Sequence, residues 1–353
     1  MVTVQQAESE IVNPAPQEFC QRGAPFIATE DVPACPVCGA WEHHPFAVGF
    51  DYELLTCQNP WSFVQCYDCE HVWLNPRPAV SELPVIYPPT YYSYNYGDIN
   101  PVARKAKEFL DERKIAKITR SCLQPPRTYL DVGCGDGRFL RVMERLGVPR
   151  SGIYGLELDP AVVGRLRAQG YDGVYCERVE TAASLPENSI DLITMFHVIE
   201  HVDDPGAVVR HISRLLSPGG IFALETPNLD SWDARLFQRT YWGGYHFPRH
   251  WNLFTPATIA RLLTENGLEI VNTKFQTGHS FWMYSLHHLL RYEGQSRPRA
   301  GAWFDPMKSL FGIGAFTALD LARGAMGAKT SAMLVTCRKA ATDGETASGR
   351  SAL

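Results

Sequence analysis

The chain has 353 residues, of which 45% are hydrophobic and 11% aromatic, and its net charge is −5. This composition is sufficient for one large domain with a packed core and a small second one. The negative charge does not favour a basic nucleic-acid-binding face, and no run of about 18 apolar residues predicts a membrane span. The N-terminus lacks the features of a signal peptide, so we expect a cytoplasmic protein.

Two Cys-x-x-Cys pairs follow a polar N-terminal tail, residues 1–32, which we expect to be disordered. The four cysteines are Cys35, Cys38, Cys66 and Cys69. Four thiolates at such spacing are typical of a closed tetrahedral Zn²⁺ site that stabilises a small module. We therefore predict a structural zinc-ribbon module over 33–76. His43, His44 and His71 are near enough in sequence to replace a thiolate, but we expect them to be surface residues.

Residues 77–100 are rich in proline and tyrosine, with five tyrosines between Tyr87 and Tyr96. Proline disfavours helix, so we expect a stiff irregular linker. Its tyrosines fit two roles equally well. They either form an aromatic lid over a bound cofactor or pack the linker onto the main domain.

A charged amphipathic helix is predicted from Pro101 to about Arg120. We expect its apolar side to consist of Ala103, Ala106, Phe109, Leu110 and Ile118.

Three glycines at alternate positions, Gly133, Gly135 and Gly137, follow a short apolar strand that carries Asp131. Glycine has no Cβ and lets the backbone approach a ligand closely, and the helix that follows offers unpaired N–H groups. The pattern predicts a nucleotide-cofactor site. A dinucleotide site requires Gly-x-Gly-x-x-Gly, and Arg138 occupies the place of its third glycine, which disfavours a nicotinamide-dependent oxidoreductase.

Strand and helix patterns then alternate to residue 275, which predicts an α/β fold with a parallel sheet. Glu157 lies near the end of the second strand, where an acid can accept hydrogen bonds from both ribose hydroxyls of a cofactor. Asp159 and Pro160 predict a helix N-terminus. The fourth strand is expected at 190–196, and later strands at 221–225, 268–274 and 331–338.

The run from Leu130 to Gly137, Leu-Asp-Val-Gly-Cys-Gly-Asp-Gly, resembles motif I of the class I S-adenosylmethionine-dependent methyltransferases. His197-Val-Ile-Glu-His201 resembles the motif after the fourth strand of the same family. The resemblance covers about 105–275 and implies a doubly wound, mostly parallel seven-stranded sheet whose last strand is antiparallel. It implies that S-adenosylmethionine lies against Asp131, Gly133, Cys134, Gly135, Gly137, Glu157, Phe196 and His197.

The N-terminal cysteine module and the linker after it resemble those of zinc-ribbon-bearing methyltransferases of sugar, polysaccharide and natural-product pathways. This resemblance implies a small-molecule acceptor. His246-Phe-Pro-Arg-His250 resembles a signature of the same group. The candidates for acceptor binding or general-base catalysis are therefore His201, His246 and His250, with no order among them. The alternative to a catalytic role is that this loop is a structural, histidine-rich segment held by aromatic packing.

Within the predicted methyltransferase domain, 101–340, we expect a helical insertion at 278–330 and a disordered tail at 341–353. The apolar stripes of the insertion fit core packing, a cover over the acceptor pocket, a homodimer contact or a lipid contact.

Two other functions remain open on sequence grounds. The first is an RNA methyltransferase whose zinc ribbon binds RNA, although residues 35–75 contain neither lysine nor arginine. The second is a non-catalytic zinc-bearing scaffold, which would bind the cofactor without transferring its methyl group. The atom that is methylated, whether oxygen, nitrogen or carbon, is not assigned by the sequence.

Overall fold

The computed structural model describes residues 23–88, 101–293, 301–306 and 308–340. Of the tail expected at 1–32, residues 1–22 lie outside these ranges, whereas 23–32 are described and contain the strand Thr29–Glu30 and the buried residues Ala24 and Ile27. The tail expected at 341–353 and the tyrosines after Tyr87 also lie outside these ranges. The strands are β1 (Thr29–Glu30), β2 (His43–Gly49), β3 (Trp61–Cys66), β4 (Val72–Leu74), β5 (Arg77–Pro78), β6 (Tyr129–Val132), β7 (Ile153–Leu156), β8 (Val174–Tyr175), β9 (Ile190–Phe196), β10 (Leu216–Pro227), β11 (Asn252–Leu253), β12 (Leu268–Gln276) and β13 (Ala332–Lys339). The helices are α1 (Leu83–Ile86), α2 (Pro101–Thr119), α3 (Arg138–Arg145), α4 (Pro160–Ala168), α5 (Pro205–Leu215), α6 (Trp232–Leu236), α7 (Pro256–Glu265), α8 (His279–Tyr292) and α9 (Leu310–Ala325).

The main sheet has seven strands in the order β12-β13-β10-β9-β6-β7-β8. Strands β8, β7, β6, β9 and β10 pair in parallel, whereas β13 is antiparallel to both of its neighbours. Apolar side chains of the central strands are fully buried, as expected for parallel strands covered on both faces. The predicted α/β fold, doubly wound and mostly parallel with one antiparallel strand, is confirmed.

Local sequence signals set the starts of the helices on this sheet. Asp159 accepts hydrogen bonds from the backbone N–H groups of Ala161 and Val162 at the start of α4. Asp204 caps α5 in the same way, and Thr255 forms a capping box with Thr258 at the start of α7. In each case proline occupies the first turn, where its missing N–H costs no hydrogen bond.

A second, four-stranded sheet has the order β11-β4-β3-β2. Its first three strands in sequence belong to the N-terminal segment, but β11 belongs to the long loop after β10, with Asn252 opposite Trp73 and Leu253 opposite Val72. One apolar core joins the two segments and α8; its largest members are Trp61, Phe63, Trp242, Tyr245, Trp251 and Trp282. The cysteine-bearing segment is therefore continuous with the loop that carries the candidate histidines.

His71 departs from the expectation of a surface histidine. It is fully buried, and its Nε2 lies 3.2 Å from the side-chain oxygen of Asn252 on β11. Burial lowers the pKa of His71 to about 4, so the ring is neutral and joins the N-terminal segment to the loop.

The apolar side of helix α2 also differs from the prediction. Phe109 and Leu110 are 56% and 63% exposed, whereas Ile115 and Ile118 are buried against the main sheet. The buried side includes Asp111, which pairs with Arg138. In the described ranges, no helix combines the length and apolar character needed to cross a membrane.

Candidate active site

The three glycines after β6 all have left-handed backbone torsions, with φ of 73°, 50° and 76° for Gly133, Gly135 and Gly137. A Cβ on Gly133 would lie 2.6 Å from Val198, and one on Gly137 would lie 2.5 Å from Leu166. A Cβ on Gly135 would meet no atom of the described residues within 4 Å. The torsions therefore favour glycine at all three positions, and a side chain at Gly133 or Gly137 would also displace Val198 or Leu166, while Gly135 borders open space that a ligand can enter.

Asp131 lies at the carboxyl end of β6 with only 2% of its surface exposed. Its Oδ1 accepts a hydrogen bond of 2.8 Å from Thr194, whose hydroxyl is 2.6 Å from that of Tyr129. Its Oδ2 is buried and has no hydrogen-bond partner among the residues that the structure describes. Burial raises the pKa of Asp131 to about 7. An unpaired buried carboxylate oxygen fits a cationic ligand group such as the ammonium of S-adenosylmethionine.

Glu157 directly follows β7, and backbone N–H groups fix its carboxylate beside the glycine loop. Gly135 donates to Oε2 at 2.9 Å, and Leu158 donates to Oε1 at 2.7 Å. Asp159 also donates to Oε1 at 3.3 Å, so the open acceptor position lies on Oε2. The arrangement leaves capacity for ribose hydroxyls, which is the role predicted for this residue.

Cys134 and Phe196, two other predicted cofactor residues, offer different groups to a ligand. The thiol of Cys134 is buried toward Gly155, where an added Cβ would lie 2.9 Å from Sγ, so Cys134 can offer its backbone to a cofactor. The ring of Phe196 packs edge-on against Phe139, and the Lys114 ammonium lies 4.8 Å from its centroid.

His197 lies between two buried carboxylates at the carboxyl edge of the sheet. Its Nδ1 is 3.2 Å from Glu200, and its Nε2 is 3.4 Å from Glu225, which also binds Lys114 at 2.6 Å. Desolvation lowers the pKa of His197, but hydrogen bonds to Glu200 and Glu225 outweigh it and raise the pKa to about 9. The His197 side chain is 45% exposed, so its charged ring is accessible to a ligand.

The fold brings the three candidate histidines together. The ring of His201, just after β9, lies 4.7 Å from that of His250 and 6.3 Å from that of His246, and the latter two are 5.0 Å apart. His197 and His246 have left-handed φ of 55° and 41°. Such torsions are uncommon in residues other than glycine and concentrate at functional sites.

Burial keeps two of these histidines neutral. It lowers the pKa of His201 to about 4 and that of His250 well below its usual range. The Nδ1–H of His201 donates to the carbonyl of Arg249, and that of His250 donates to the carbonyl of Gly244. Tyr87, the linker tyrosine in the described ranges, also lies 3.0 Å from Nδ1 of His201.

His246 instead contacts a carboxylate that the sequence does not single out. Its Nδ1 bonds to Oε2 of Glu53, and both side chains are buried. Glu53 belongs to the N-terminal segment, 193 residues away in sequence, and no local motif marks it. Glu200 was also missed as a site residue, although it lies inside the quoted motif His197 to His201.

The four predicted zinc ligands converge at the other end of the small sheet. Sγ of Cys35 is 3.5 Å from that of Cys69, and Sγ of Cys38 is 3.5 Å from that of Cys66. All four sulfur atoms lie within 4.8 Å of one another, and none forms a disulfide. Four thiolates in this arrangement fit a tetrahedral Zn²⁺ site.

Comparison with known proteins agrees with this geometry. The sequence model of a family described as "Methyltransferase domain" matches residues 103–273. A ubiquinone biosynthesis O-methyltransferase of Neisseria meningitidis serogroup A is 30% identical over 167 residues, which cover 43% of this chain and 68% of that protein. One from Xanthomonas oryzae pv. oryzae is 36% identical over 104 residues, covering 28% of this chain and 42% of that protein.

Among solved structures, a methyltransferase from Archaeoglobus fulgidus, described as S-adenosylmethionine-dependent, is similar with a TM-score of 0.43 and 18% identity. The match covers 66% of this chain and 94% of that one. The matched sequence region contains the glycine loop, Glu157 and the motif after β9. The chain belongs to the class I S-adenosylmethionine-dependent methyltransferases.

Proposed function

We propose that this methyltransferase methylates a hydroxyl oxygen of a small molecule, with His246 as the general base. The observation that carries the proposal is the buried pair of His246 and Glu53, which lies beside His201 and His250 at the carboxyl edge of the sheet. Two relatives that match the chain are named O-methyltransferases. The candidate acceptor residues are linked to the cofactor loop along the chain, because Val198 packs against Gly133 and His201 follows three residues later.

Five residues are proposed to hold S-adenosylmethionine. Asp131 would pair with its ammonium, Glu157 would accept from the ribose, and Gly135 would leave space for the chain of the cofactor. Phe196 and His197 would border it where β9 ends. When bound there, the cofactor supplies a methyl carbon that is already activated by the sulfonium charge.

The protein's own contribution to transfer is alignment and proton removal. The bound cofactor would give its methyl group to the acceptor oxygen and keep the electron pair of the broken carbon–sulfur bond, and the chain's own residues would hold the acceptor in line with that bond. The hydroxyl proton passes to Nε2 of His246. Glu53 fixes the ring through Nδ1 and stabilises the imidazolium that forms, as the carboxylate does in a Ser-His-Asp triad.

We also propose that Cys35, Cys38, Cys66 and Cys69 bind a structural Zn²⁺. Support comes from the clustering of the four sulfur atoms and from the sheet that their segment shares with β11. Four thiolates leave no coordination position for a substrate, so the ion would fix the small sheet and would not take part in methyl transfer.

A panel of acceptors tests the proposal. The full-length protein is incubated with S-adenosylmethionine labelled in its methyl group and with small molecules that offer a hydroxyl, an amine or an acidic carbon. Mass spectrometry locates the label, and structured RNA is included as a competitor. Label on a hydroxyl oxygen is expected. Label on nitrogen, carbon or RNA would contradict the proposed acceptor class.

A further inference from the structure

Three side chains with metal-binding atoms converge beside the proposed base. Glu200 and His201 lie in the turn after β9, and His250 lies in the loop before β11. One donor atom from each lies within 4.8 Å of the other two. The two elements are joined directly, because the backbone N–H of Trp251 donates to the carbonyl of Glu200 at 2.7 Å. The set is two imidazoles and one carboxylate.

Hydrogen bonds fix the tautomers of the two imidazoles. Nδ1 of His201 is 2.9 Å from the carbonyl oxygen of Arg249, and Nδ1 of His250 is 2.7 Å from that of Gly244. A carbonyl oxygen only accepts, so each Nδ1 carries the hydrogen and each Nε2 keeps its lone pair. A backbone carbonyl behind the ring is the usual support of a histidine that binds a metal.

The carboxylate of Glu200 is also held in place. It is fully buried, with His197 at 3.2 Å from Oε1 and the hydroxyl of Thr226 donating to Oε2 at 3.1 Å. Each of its oxygens has a second acceptor position. Glu200 can therefore bind a cation without giving up the contacts that orient it.

We infer that Glu200, His201 and His250 form a site for one divalent transition-metal ion that binds the acceptor hydroxyl. Imidazole and carboxylate ligands in a 2:1 ratio suit Mn²⁺, Fe²⁺, Co²⁺ and Zn²⁺. Three protein ligands leave coordination positions open, in contrast to the four-cysteine cluster. The inference rests on the proposed function, because a hydroxyl oxygen bound to such an ion loses its proton more readily, and His246 lies beside His250 to take it.

The test uses full-length protein whose zinc content has first been measured, titrated with MnCl₂ and followed by calorimetry and electron paramagnetic resonance. One Mn²⁺ per chain is expected beyond the cysteine-bound ion. Glu200→Gln and His250→Asn should each weaken Mn²⁺ binding at least tenfold. His287→Asn is the matched control, because Nδ1 of His287 also bonds to a carbonyl, that of Gly301, outside the three-residue set.

Wild-type protein that binds no Mn²⁺, or binding that survives both substitutions, would overturn the inference. Retained affinity for S-adenosylhomocysteine shows that a variant is folded. If a variant does not fold, the wild-type titration alone still decides whether the protein binds the second ion. O-methylation at full rate after the ion is removed would also overturn it while leaving the proposed function intact. Mn²⁺ binding at these residues without any O-methylation would support the ion site and contradict the proposed acceptor.

Discussion

Asp131 combines burial with an unpaired carboxylate oxygen, so its ionisation should control cofactor binding. Burial raises its pKa to about 7; Glu157 and Asp136 also raise it, while Thr194 and Arg138 lower it. Because the folded-state pKa lies above the usual value, ionised Asp131 destabilises the cofactor-free protein as pH rises toward 7. The ionised form is nevertheless the one that attracts an ammonium group.

We therefore predict that the affinity for S-adenosylmethionine rises with pH up to about 7, by as much as tenfold per unit, and then levels off. Calorimetry between pH 5.5 and 8.5 measures the profile. Asp131→Asn should bind weakly with a flat profile. An equally steep profile in this variant would assign the pH dependence to another group.

Glu157 should contribute to affinity through its ribose contacts. Gly135 and Leu158 donate to different oxygens of Glu157, so Glu157→Gln keeps an acceptor for only one of these backbone N–H groups and removes the charge. The loss of charged hydrogen bonds should weaken S-adenosylhomocysteine binding by about 1.5–3 kcal/mol. The exposed Glu187→Gln is the matched control. Equal affinities in the two variants would exclude the ribose role.

Single residues were predictable from sequence where a local motif surrounds them. Asp131, the glycines and the cap at Asp159 belong to short continuous patterns, and the structure places them accordingly. Glu53 reaches His246 only through tertiary contact. No spacing rule along the chain relates two residues that the fold alone brings together.

At the scale of elements, the loop after β10 is anchored by a buried ion pair. Arg249 binds both oxygens of Asp51, at 3.0 and 2.9 Å, and its Nε donates to the carbonyl of Ile86. Arg249 and Asp51 are fully buried. The guanidinium and other hydrogen bonds outweigh burial and lower the pKa of Asp51 to about 2. The loop therefore depends on the N-terminal segment for its conformation.

Asp51→Asn should leave the Arg249 charge buried without its counter-ion and cost about 3–5 kcal/mol of the free energy of unfolding. Denaturant unfolding measures the loss. Glu265→Gln, which breaks the exposed pair with Arg261, should change stability by less than about 0.5 kcal/mol. Similar losses in the two variants would show that the buried pair does not anchor the loop.

Two elements show why sequence patterns were incomplete. Helix α2 buries Ile115 and Ile118 but exposes Phe109 and Leu110, because its buried side also carries Asp111, which pairs with Arg138. Strand β11 is only two residues long and pairs with β4, about 180 positions earlier. A strand that short has no periodicity to detect.

At the scale of the whole molecule, the four-stranded sheet is shared between the N-terminal segment and the histidine loop, and this alters the expected effect of zinc loss on the fold. The sequence alone suggests a module that unfolds independently of the cofactor domain. Since β11 pairs with β4 and both segments share one core, disruption of the cysteine site should also displace the histidine loop.

We predict that Cys66→Ser lowers methyl transfer strongly while the affinity for S-adenosylhomocysteine stays within about threefold, since the cofactor residues lie on the main sheet. The expected zinc content of the wild type is about one ion per chain. Cys176→Ser, at an exposed cysteine outside the cluster, should leave both properties unchanged. Full activity in the Cys66 variant would contradict the prediction that the cysteine site supports acceptor binding.

The most direct measurement is the single-turnover rate of methyl transfer in wild type, His246→Asn and Glu53→Gln, with the hydroxyl acceptor identified from the panel. Loss of the base should slow transfer by about 10²–10⁴-fold, and loss of Glu53 should slow it less. Both variants should keep the wild-type affinity for S-adenosylhomocysteine, and His287→Asn should keep the wild-type rate. Wild-type rates in His246→Asn would contradict the assignment of this loop as the catalytic site.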